Sequence, residues 1–485
     1  MYGNYIADRR SLNMHPGDHI SRRTALRDMA CGFGGVAMGA MAHQQAMAEG
    51  KVPNPGILHH AAKAKRVIFL FMAGGVSHVD SYDYKKNLFR DDGKMVRFDD
   101  ARTLAKTRKI VEHRVMKPLW DFKQYGQCGQ QVSELFPHTA RHVDELCFLK
   151  GMHTEGVAHG PSTLFLHTGS INLVRPSMGS WASYGLGKEN DDLPAFVAMT
   201  SRGKRGGQPL YERLWGSGFL PTTHQGVKFR SGSDPVLYLN NPSGVSQAVK
   251  RGLLDDLGAL NERRLELMGD PEIATRIAQY ELAFRMQSSI PELTDIKDEP
   301  KSVLDLYGPD VTKPGTYASQ CLLARRLVER GVRFVQLFHI GWDQHGNLPR
   351  EIGNQCRNTD QPSAGLVKDL EQRGLLDETL IVWGGEFGRT TYCQGGLKRD
   401  NYGRDHHPRC FSLWMAGGGI QGGVSYGKTD EFSYNIESNP VEVHDLHATL
   451  LHLLGIDHRK LTFRFQGRDY RLTDVHGRVV KEILA

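Results

Sequence analysis

The sequence predicts an α/β fold: a mostly parallel sheet with helices on both faces and an inserted irregular or helical cap. Four short apolar runs have the length and continuity of strands buried on both faces; they are residues 66–72, 332–338, 379–383 and 411–415. Helical patterns precede two of these runs, at residues 317–330 and 364–373. Strands that alternate with such helices are typical of right-handed crossovers within a parallel sheet.

The cap is predicted at about residues 190–310, where the alternation of strands and helices stops. A Gly-rich irregular stretch comes first, and long helical patterns follow at residues 246–288. The sequence contains no internal repeat and no low-complexity segment. We therefore expect one domain at residues 49–485, with this stretch inserted over the sheet.

Composition excludes several classes of protein. The 485 residues are 39% hydrophobic and 24% charged, which is ordinary for a globular chain with a large core. The formal net charge of +7 is spread thinly and no long basic run occurs, so nucleic acid is not expected as the main partner. The seven cysteines form no CxxC pair, which excludes a zinc ribbon and leaves disulfide pairing open.

The first 48 residues have the order of parts expected of an export signal. Arg22 and Arg23 precede a Gly- and Ala-rich, mildly apolar stretch at 29–42, and Ala-Met-Ala at 46–48 offers a cleavage site. We predict a twin-arginine signal that the twin-arginine translocase carries to the periplasm or cell envelope. The alternative is a surface helix with two arginines by chance. No run approaches the roughly 20 apolar residues of a stable span, so no membrane insertion is expected after cleavage.

Polar side chains follow the predicted strands, where ligands bind in open parallel sheets. Three such segments are GGVSHVDSYD at 74–83, HIGWDQH at 339–345 and GGEFGRT at 384–390, and a fourth polar segment, GRDHHP at 403–408, lies near the fourth strand. Asp343 and His345 are two residues apart, so they project to the same side if the backbone is extended.

Carboxylates and imidazoles brought together from separate segments repel and lose hydration unless a cation lies among them. The sequence therefore predicts a metal site. Each part has an ordinary alternative: an Asp after a strand often caps a helix, and His406 and His407 also suit a solvated loop. We expect His78 and His339 to be structural or to lie outside the ligand set.

Several stretches resemble a known family. GGVSHVDSYD, GWDQHGN, WGGEFGRT, GRDHHP and DLHATLLHLLGIDH are similar to the exported bacterial family called domain of unknown function 1501, often described as sulfatase-like. The pattern at residues 443–456 also resembles the late helix of the alkaline phosphatase and sulfatase superfamily. The resemblance covers essentially the whole chain after the leader and implies an alkaline phosphatase-like fold.

The resemblance also implies a ligand set. It matches the superfamily's metal-binding positions to Asp80, Asp343, His345, Glu386, and either His406 or His407. Phe387 stands where a ligand histidine is usual, so we expect one divalent ion per chain. A set rich in histidine suits zinc, manganese or iron, and one rich in carboxylates suits calcium or magnesium, so the metal remains open.

The catalytic residues are predicted less directly, because the sulfatase motif of Cys or Ser followed by x-Pro-x-Arg is absent. Ser162 is the candidate nucleophile, although Pro161 and Ser162 equally suit an ordinary helix N-terminus. His159 is a candidate ligand or proton carrier, and Arg389 a candidate contact to an anionic ester.

Together these features predict a metal-dependent hydrolase of phosphate or sulfate esters. The alternative is a non-enzymatic envelope protein that keeps the fold and a structural metal. The oligomeric state is open.

Replacing Arg22 and Arg23 by lysine should leave unprocessed precursor in the cytoplasm, because the twin-arginine route requires the arginine pair. Cell fractionation with immunoblotting measures this. The same change at Arg9 and Arg10, which no apolar stretch follows directly, is the control and should leave export intact. Normal processing of the Arg22 and Arg23 variant by the general secretory route would contradict the assignment.

Overall fold

The computed structural model describes residues 58–100, 109–201, 210–232, 235–236, 239–398 and 400–485. The predicted leader, with Arg22, Arg23 and the cleavage pattern at 46–48, lies outside the described residues. Its role in export therefore stays a prediction.

The described residues form strands of two to eight residues. In chain order they are β1 (Arg66–Ala73), β2 (Met95–Asp99), β3 (Ile110–Arg114), β4 (Phe122–Tyr125), β5 (Gln130–Ser133), β6 (Leu146–His153), β7 (Phe196–Thr200), β8 (Val227–Phe229), β9 (Phe334–Ile340), β10 (Thr379–Gly384), β11 (Gly388–Cys393), β12 (Arg404–His407), β13 (Phe411–Ala416), β14 (Val424–Tyr426), β15 (Lys428–Thr429), β16 (Ile436–Ser438), β17 (Val441–Glu442), β18 (Phe463–Phe465) and β19 (Arg468–Tyr470).

The helices range from single turns to seven turns. They are α1 (His78–Ser81), α2 (Lys86–Arg90), α3 (His159–Thr168), α4 (Met178–Leu186), α5 (Gln247–Met268), α6 (Pro271–Thr294), α7 (Lys301–Tyr307), α8 (Tyr317–Glu329), α9 (Leu348–Gln372) and α10 (Val443–Leu453). Short 3-10 turns lie at Thr139–His142, Glu212–Leu214, Thr222–His224, Leu376–Glu378 and Lys481–Ile483.

The main sheet has nine strands in the order β14-β6-β13-β10-β1-β9-β7-β8, and β17 also pairs with β6. β13 is antiparallel to both of its neighbours, β10 and β6. The other pairings of the sheet are parallel. The predicted α/β fold with a mostly parallel sheet is therefore confirmed.

Strand β1 shows why both faces of this sheet are covered. Ile68, Leu70 and Met72 belong to a core on one face, whereas Val67 and Phe69 belong to a core on the other. Successive side chains of a strand alternate between faces, so a continuous apolar run needs packing on both sides. Helices α8 and α9 contribute to the first core, and α3, α4 and α10 to the second.

The stretch predicted as a cap contains both sheet strands and long helices. β7 and β8 extend the main sheet beyond β9. The helical pattern at 246–288 forms two helices, because Gly269 ends α5 with a left-handed φ of 66° and the Asp270 side chain caps α6. Strand β6 was not predicted, although it lies between β13 and β14 in the sheet.

All described residues belong to one compact unit, Asn54–Ala485. Its six cysteines are free thiols. None of the helices in the described ranges combines the length and apolar character needed to cross a membrane.

A buried ion pair joins the segment after β1 to β12. Arg404 Nε and Nη2 donate to the two carboxylate oxygens of Asp80 at 2.7 and 3.0 Å, and the Ser77 hydroxyl donates to Asp80 Oδ2 at 2.6 Å. Both charged side chains are fully buried. Asp80, predicted as a metal ligand, is therefore the counter-ion of the buried Arg404.

Asp80→Asn should lower the free energy of unfolding by about 3–5 kcal/mol, because it leaves the buried Arg404 charge without its partner. Urea unfolding measures the change. Asp305→Asn removes one partner of the exposed Lys301–Asp305 pair and should cost less than about 1 kcal/mol. Equal small effects of the two variants would show that the buried pair contributes no more than the exposed one.

Candidate metal centre

Four ligand-type side chains converge at one edge of the sheet. Asp343 and His345 lie in the loop between β9 and α9, His159 is the first residue of α3, and His406 lies in β12. One ligand atom from each lies within 4.8 Å of the others. The expectation that Asp343 and His345 project together agrees with this geometry.

The Asp343 carboxylate is the centre of the group. Its Oδ1 lies 2.9 Å from His345 Nε2, 3.2 Å from His159 Nε2 and 3.5 Å from His406 Nε2. His345 Nε2 and His406 Nε2 are 2.9 Å apart. Three imidazole nitrogens and one carboxylate oxygen therefore share one small volume.

The other nitrogen of each ring contacts an oxygen acceptor. His159 Nδ1 lies 2.6 Å from Glu386 Oε1, His406 Nδ1 lies 2.9 Å from the Val157 carbonyl oxygen, and His345 Nδ1 is hydrogen-bonded to the Gln394 side-chain oxygen. An oxygen that only accepts needs a proton on Nδ1, so Nε2 of each neutral ring presents a lone pair.

Those lone pairs converge on one another and on a carboxylate, an arrangement that is repulsive by itself. One cation bound to all four atoms removes the repulsion. Histidine ligands of metals commonly donate their second ring N–H to a carboxylate or carbonyl, as these three rings do. The residues therefore fit a divalent metal ion.

Electrostatics keep Asp343 ionised. Burial alone would raise its pKa, but hydrogen bonds from the three histidines, where their Nε2 atoms carry a proton, and the charge of Arg389 hold the pKa of this carboxyl well below its usual range. For His406, burial is the main cause and lowers the pKa, so the neutral ring that a metal requires is favoured. Burial acts in the same direction on His159, but its two carboxylate neighbours outweigh it and raise the pKa.

Two glycines after β1 make room for this group. Gly74 has a φ of +123°, and a Cβ there would lie 2.5 Å from the Asp343 backbone nitrogen. Gly75 has a φ of +77°, and its Cβ would lie 2.6 Å from the Phe387 ring. The Asp343 loop and Phe387 can approach the end of β1 only because neither position carries a side chain.

Glu386, predicted as a ligand, lies behind His159 instead. Its buried carboxylate accepts from the backbone N–H groups of Gly74 at 3.0 Å and Gly75 at 3.2 Å, and it contacts His159 Nδ1. It therefore fixes the orientation of the His159 ring, the role that carboxylates next to metal-binding histidines commonly have.

Arg389, predicted to contact substrate, is fully buried and bonded to its own chain. It donates to the carbonyl oxygens of Gly74, of Gly75 at 3.0 Å and of Arg404 at 3.1 Å. It also donates to Asp343 Oδ1 at 2.6 Å. The structure thus uses Arg389 to hold Asp343.

Two other predicted residues lie apart from the cluster. His407 packs on Tyr434 with ring centroids 4.3 Å apart, contacts the Tyr434 carbonyl at 2.5 Å, and has its pKa lowered by burial to about 3. The Ser162 hydroxyl is buried and donates to the Ala158 carbonyl at 2.8 Å. Neither side chain is directed to the group around Asp343.

Phe387 packs against two members of the cluster. Its ring centroid lies 4.9 Å from that of His159 and 4.6 Å from that of His406. An apolar ring thus stands beside the four ligand-type side chains. The expectation of a single ion per chain remains a prediction.

Two partners of the cluster carry no signal in the sequence. Gln394 and the Val157 carbonyl orient His345 and His406, and neither belongs to a ligand motif. Only the folded chain shows them. His78 and His339 are hydrogen-bonded in the interior, to the Ser433 carbonyl and to Ser201 and Gln355 respectively.

His406→Ala should lower metal affinity by at least about tenfold while the protein stays folded, since loss of a direct ligand costs no less than loss of a residue that orients one. The adjacent His407→Ala is the matched control: it should keep the metal and lower stability, because its ring is buried against Tyr434. Elemental analysis and thermal unfolding measure both. Metal loss in His407→Ala with retention in His406→Ala would reverse the assignment.

The chain matches none of the curated proteins with which it was compared. Solved structures show distant likeness. One is the PsFucS1 sulfatase from Pseudoalteromonas sp., at 12% identity and a TM-score of 0.35 over 81% of this chain and 68% of that one. Another is an alkaline phosphatase superfamily protein from Vibrio parahaemolyticus, at 11% identity and a TM-score of 0.35 over 86% and 76%. A third is the C-terminal periplasmic domain of EcEptC from Escherichia coli in complex with Zn, at 9% identity and 0.33 over 83% and 86%.

The motifs around the cluster lie within a single family match. The family profile described as "Protein of unknown function (DUF1501)" matches residues 64–484, a range that includes His159, Asp343, His345 and His406. The chain therefore belongs to the DUF1501 family.

Proposed function

We propose that this protein is an exported, metal-dependent hydrolase of phosphate or sulfate esters. The observation that carries the proposal is the convergence of three Nε2 atoms and one carboxylate oxygen within 4.8 Å of one another. The ligands would be His159, Asp343, His345 and His406. Export rests on the Arg22 and Arg23 pair and is part of the same proposal.

Three nitrogens and one oxygen suit zinc, manganese or iron better than calcium or magnesium, which prefer oxygen ligands. A metal ion at such a site acts as a Lewis acid on an ester oxygen and makes water acidic enough to attack near neutral pH. The sequence resemblance described above supports phosphate and sulfate esters as the substrate class.

The protein's own residues position the reaction. His345 is the most exposed of the four, with 35% of its side chain accessible, so substrate and water would approach from its side. Phe387 packs on the His159 and His406 rings, and the buried Arg389 donates to Asp343 Oδ1, so these two side chains cover part of the cluster. Glu386 keeps His159 aimed at the centre.

Water is the proposed nucleophile. The Ser162 hydroxyl is buried and donates to Ala158, so it is not presented to the centre. Activity should therefore not depend on a hydroxyl at position 162.

The second candidate is a non-enzymatic envelope protein with a structural metal. It is favoured by one observation: Arg389, the guanidinium nearest the cluster, directs its donors to its own chain. An anionic ester would then have no arginine clamp from that residue.

Metal removal separates the two candidates. Protein purified without added metal should contain one tightly bound ion per chain and hydrolyse an aryl phosphate or an aryl sulfate. Chelation should abolish hydrolysis, and zinc or manganese should restore it, because the ion supplies the Lewis acid. His345→Ala should lower kcat/KM by at least about 100-fold, since it removes a ligand. The exposed His476→Ala is the matched control and should behave like the unmodified protein.

One bound ion without hydrolysis of either ester class would favour the structural alternative. Hydrolysis that survives complete removal of metal would contradict a metal-dependent enzyme.

A further inference from the structure

Helix α5 carries an apolar stripe that faces solvent. Among the described residues of this 22-residue helix none is buried. Val249, Leu253, Leu257, Leu260 and Leu267 have 53, 54, 43, 54 and 80% of their surface exposed. Five large apolar side chains on one exposed face are unusual for a helix against whose face no other described element packs.

The opposite face of α5 packs against α6. Arg251 forms an ion pair with Glu281 at 2.6 Å, and its guanidinium lies 5.0 Å from the Phe284 ring centroid. Half-exposed positions at 251, 254, 258, 261 and 265 recur every three or four residues, as the packed side of a helix does. At 3.6 residues per turn, the apolar stripe lies on the far side.

Three leucines of the stripe are placed symmetrically along the helix. Leu253 and Leu267 each lie seven residues from Leu260, one on either side. Asp256 and Arg263 flank the same edge of the stripe, four residues before and three residues after Leu260, and both are exposed. A half-turn about Leu260 therefore exchanges Leu253 with Leu267 and brings Asp256 of one helix to nearly the height of Arg263 of the other, on the same edge.

We infer that this stripe is the docking surface for a second copy of the chain, with the two α5 helices antiparallel about a two-fold axis at Leu260. Leu260 would meet the partner's Leu260, and Leu253 would meet the partner's Leu267. Asp256 would lie opposite the partner's Arg263. In a parallel pair Asp256 and Arg263 would lie about 10 Å apart in height and would not meet, so charge favours the antiparallel arrangement.

The contact is small. A helix of 22 residues is about 33 Å long, and a stripe roughly 10 Å wide offers about 300 Å² on each copy. Such an area is below the size of standard stable interfaces, so the dimer should dissociate on dilution.

Sedimentation velocity of the full chain should show a shift from monomer to dimer as its concentration rises. The concentrations should run from about 1 to about 100 µM, the range in which a weak interface is expected to dissociate. Leu260→Glu should abolish the dimer, because two carboxylates would meet on the axis. Leu173→Glu alters a leucine of similar exposure, 56%, outside α5 and should leave the dimer unchanged. Circular dichroism and metal content check that both variants are folded.

Charge reversal tests the orientation. Asp256→Arg and Arg263→Asp should each weaken dimerisation at least about fivefold, and the double variant should recover it, because the pairs are restored with opposite sign. A monomer at every concentration would overturn the inference. A dimer insensitive to Leu260→Glu, or one that the double reversal fails to rescue, would overturn it as well. A monomer that binds phospholipid vesicles through Leu260 would identify a membrane surface as the occupant instead.

Discussion

A buried guanidinium organises the edge of the sheet where the candidate centre lies. Arg389 donates to the Gly74, Gly75 and Arg404 carbonyl oxygens and to the Asp343 carboxylate. Carbonyl oxygens beyond the ends of parallel strands no longer pair with a neighbouring strand and need other hydrogen-bond donors. A buried charge needs a counter-charge. One side chain meets both needs, so the position of Asp343 depends on the ends of the central strands.

Two further buried charges, Arg404 and Glu386, hold the chain around the cluster in the same way. Arg404 pairs with Asp80 and also donates to the Thr390 carbonyl at 3.1 Å, which ties β12 to β11. Glu386 accepts from the Gly74 and Gly75 N–H groups and contacts His159. Charged side chains that hold the backbone in place, such as Arg404 and Glu386, thus lie next to the side chains that could bind a metal. One sequence motif can therefore contain ligands and anchors side by side.

This division decides which residues could be predicted from the sequence. The apolar runs of β1, β9 and β10 locate the sheet, because a short continuous apolar run is typical of a strand buried on both faces. Asp343 and His345 were identifiable from their spacing after β9. Asp80, Glu386 and His407 resemble ligands in composition, but their partners are residues far away in the chain, such as Arg404 and Tyr434. Long-range pairing of that kind leaves no local pattern. The Val157 carbonyl was beyond sequence reasoning for the same reason, since every residue has one.

The adjacent histidines of β12 carry one more consequence. Neighbouring side chains of a strand point to opposite faces, so His406 enters the cluster while His407 packs on Tyr434. A single-residue insertion between Arg404 and His406 would leave the composition almost unchanged. It would nevertheless turn the first histidine away from the cluster and toward the core. In comparing homologues, the count of residues from the buried arginine to the histidine is therefore more diagnostic than the presence of two histidines. An alignment with a misplaced gap in this strand would match the wrong histidine to the ligand position. A homologue with a complete set of ligands would then seem to lack one.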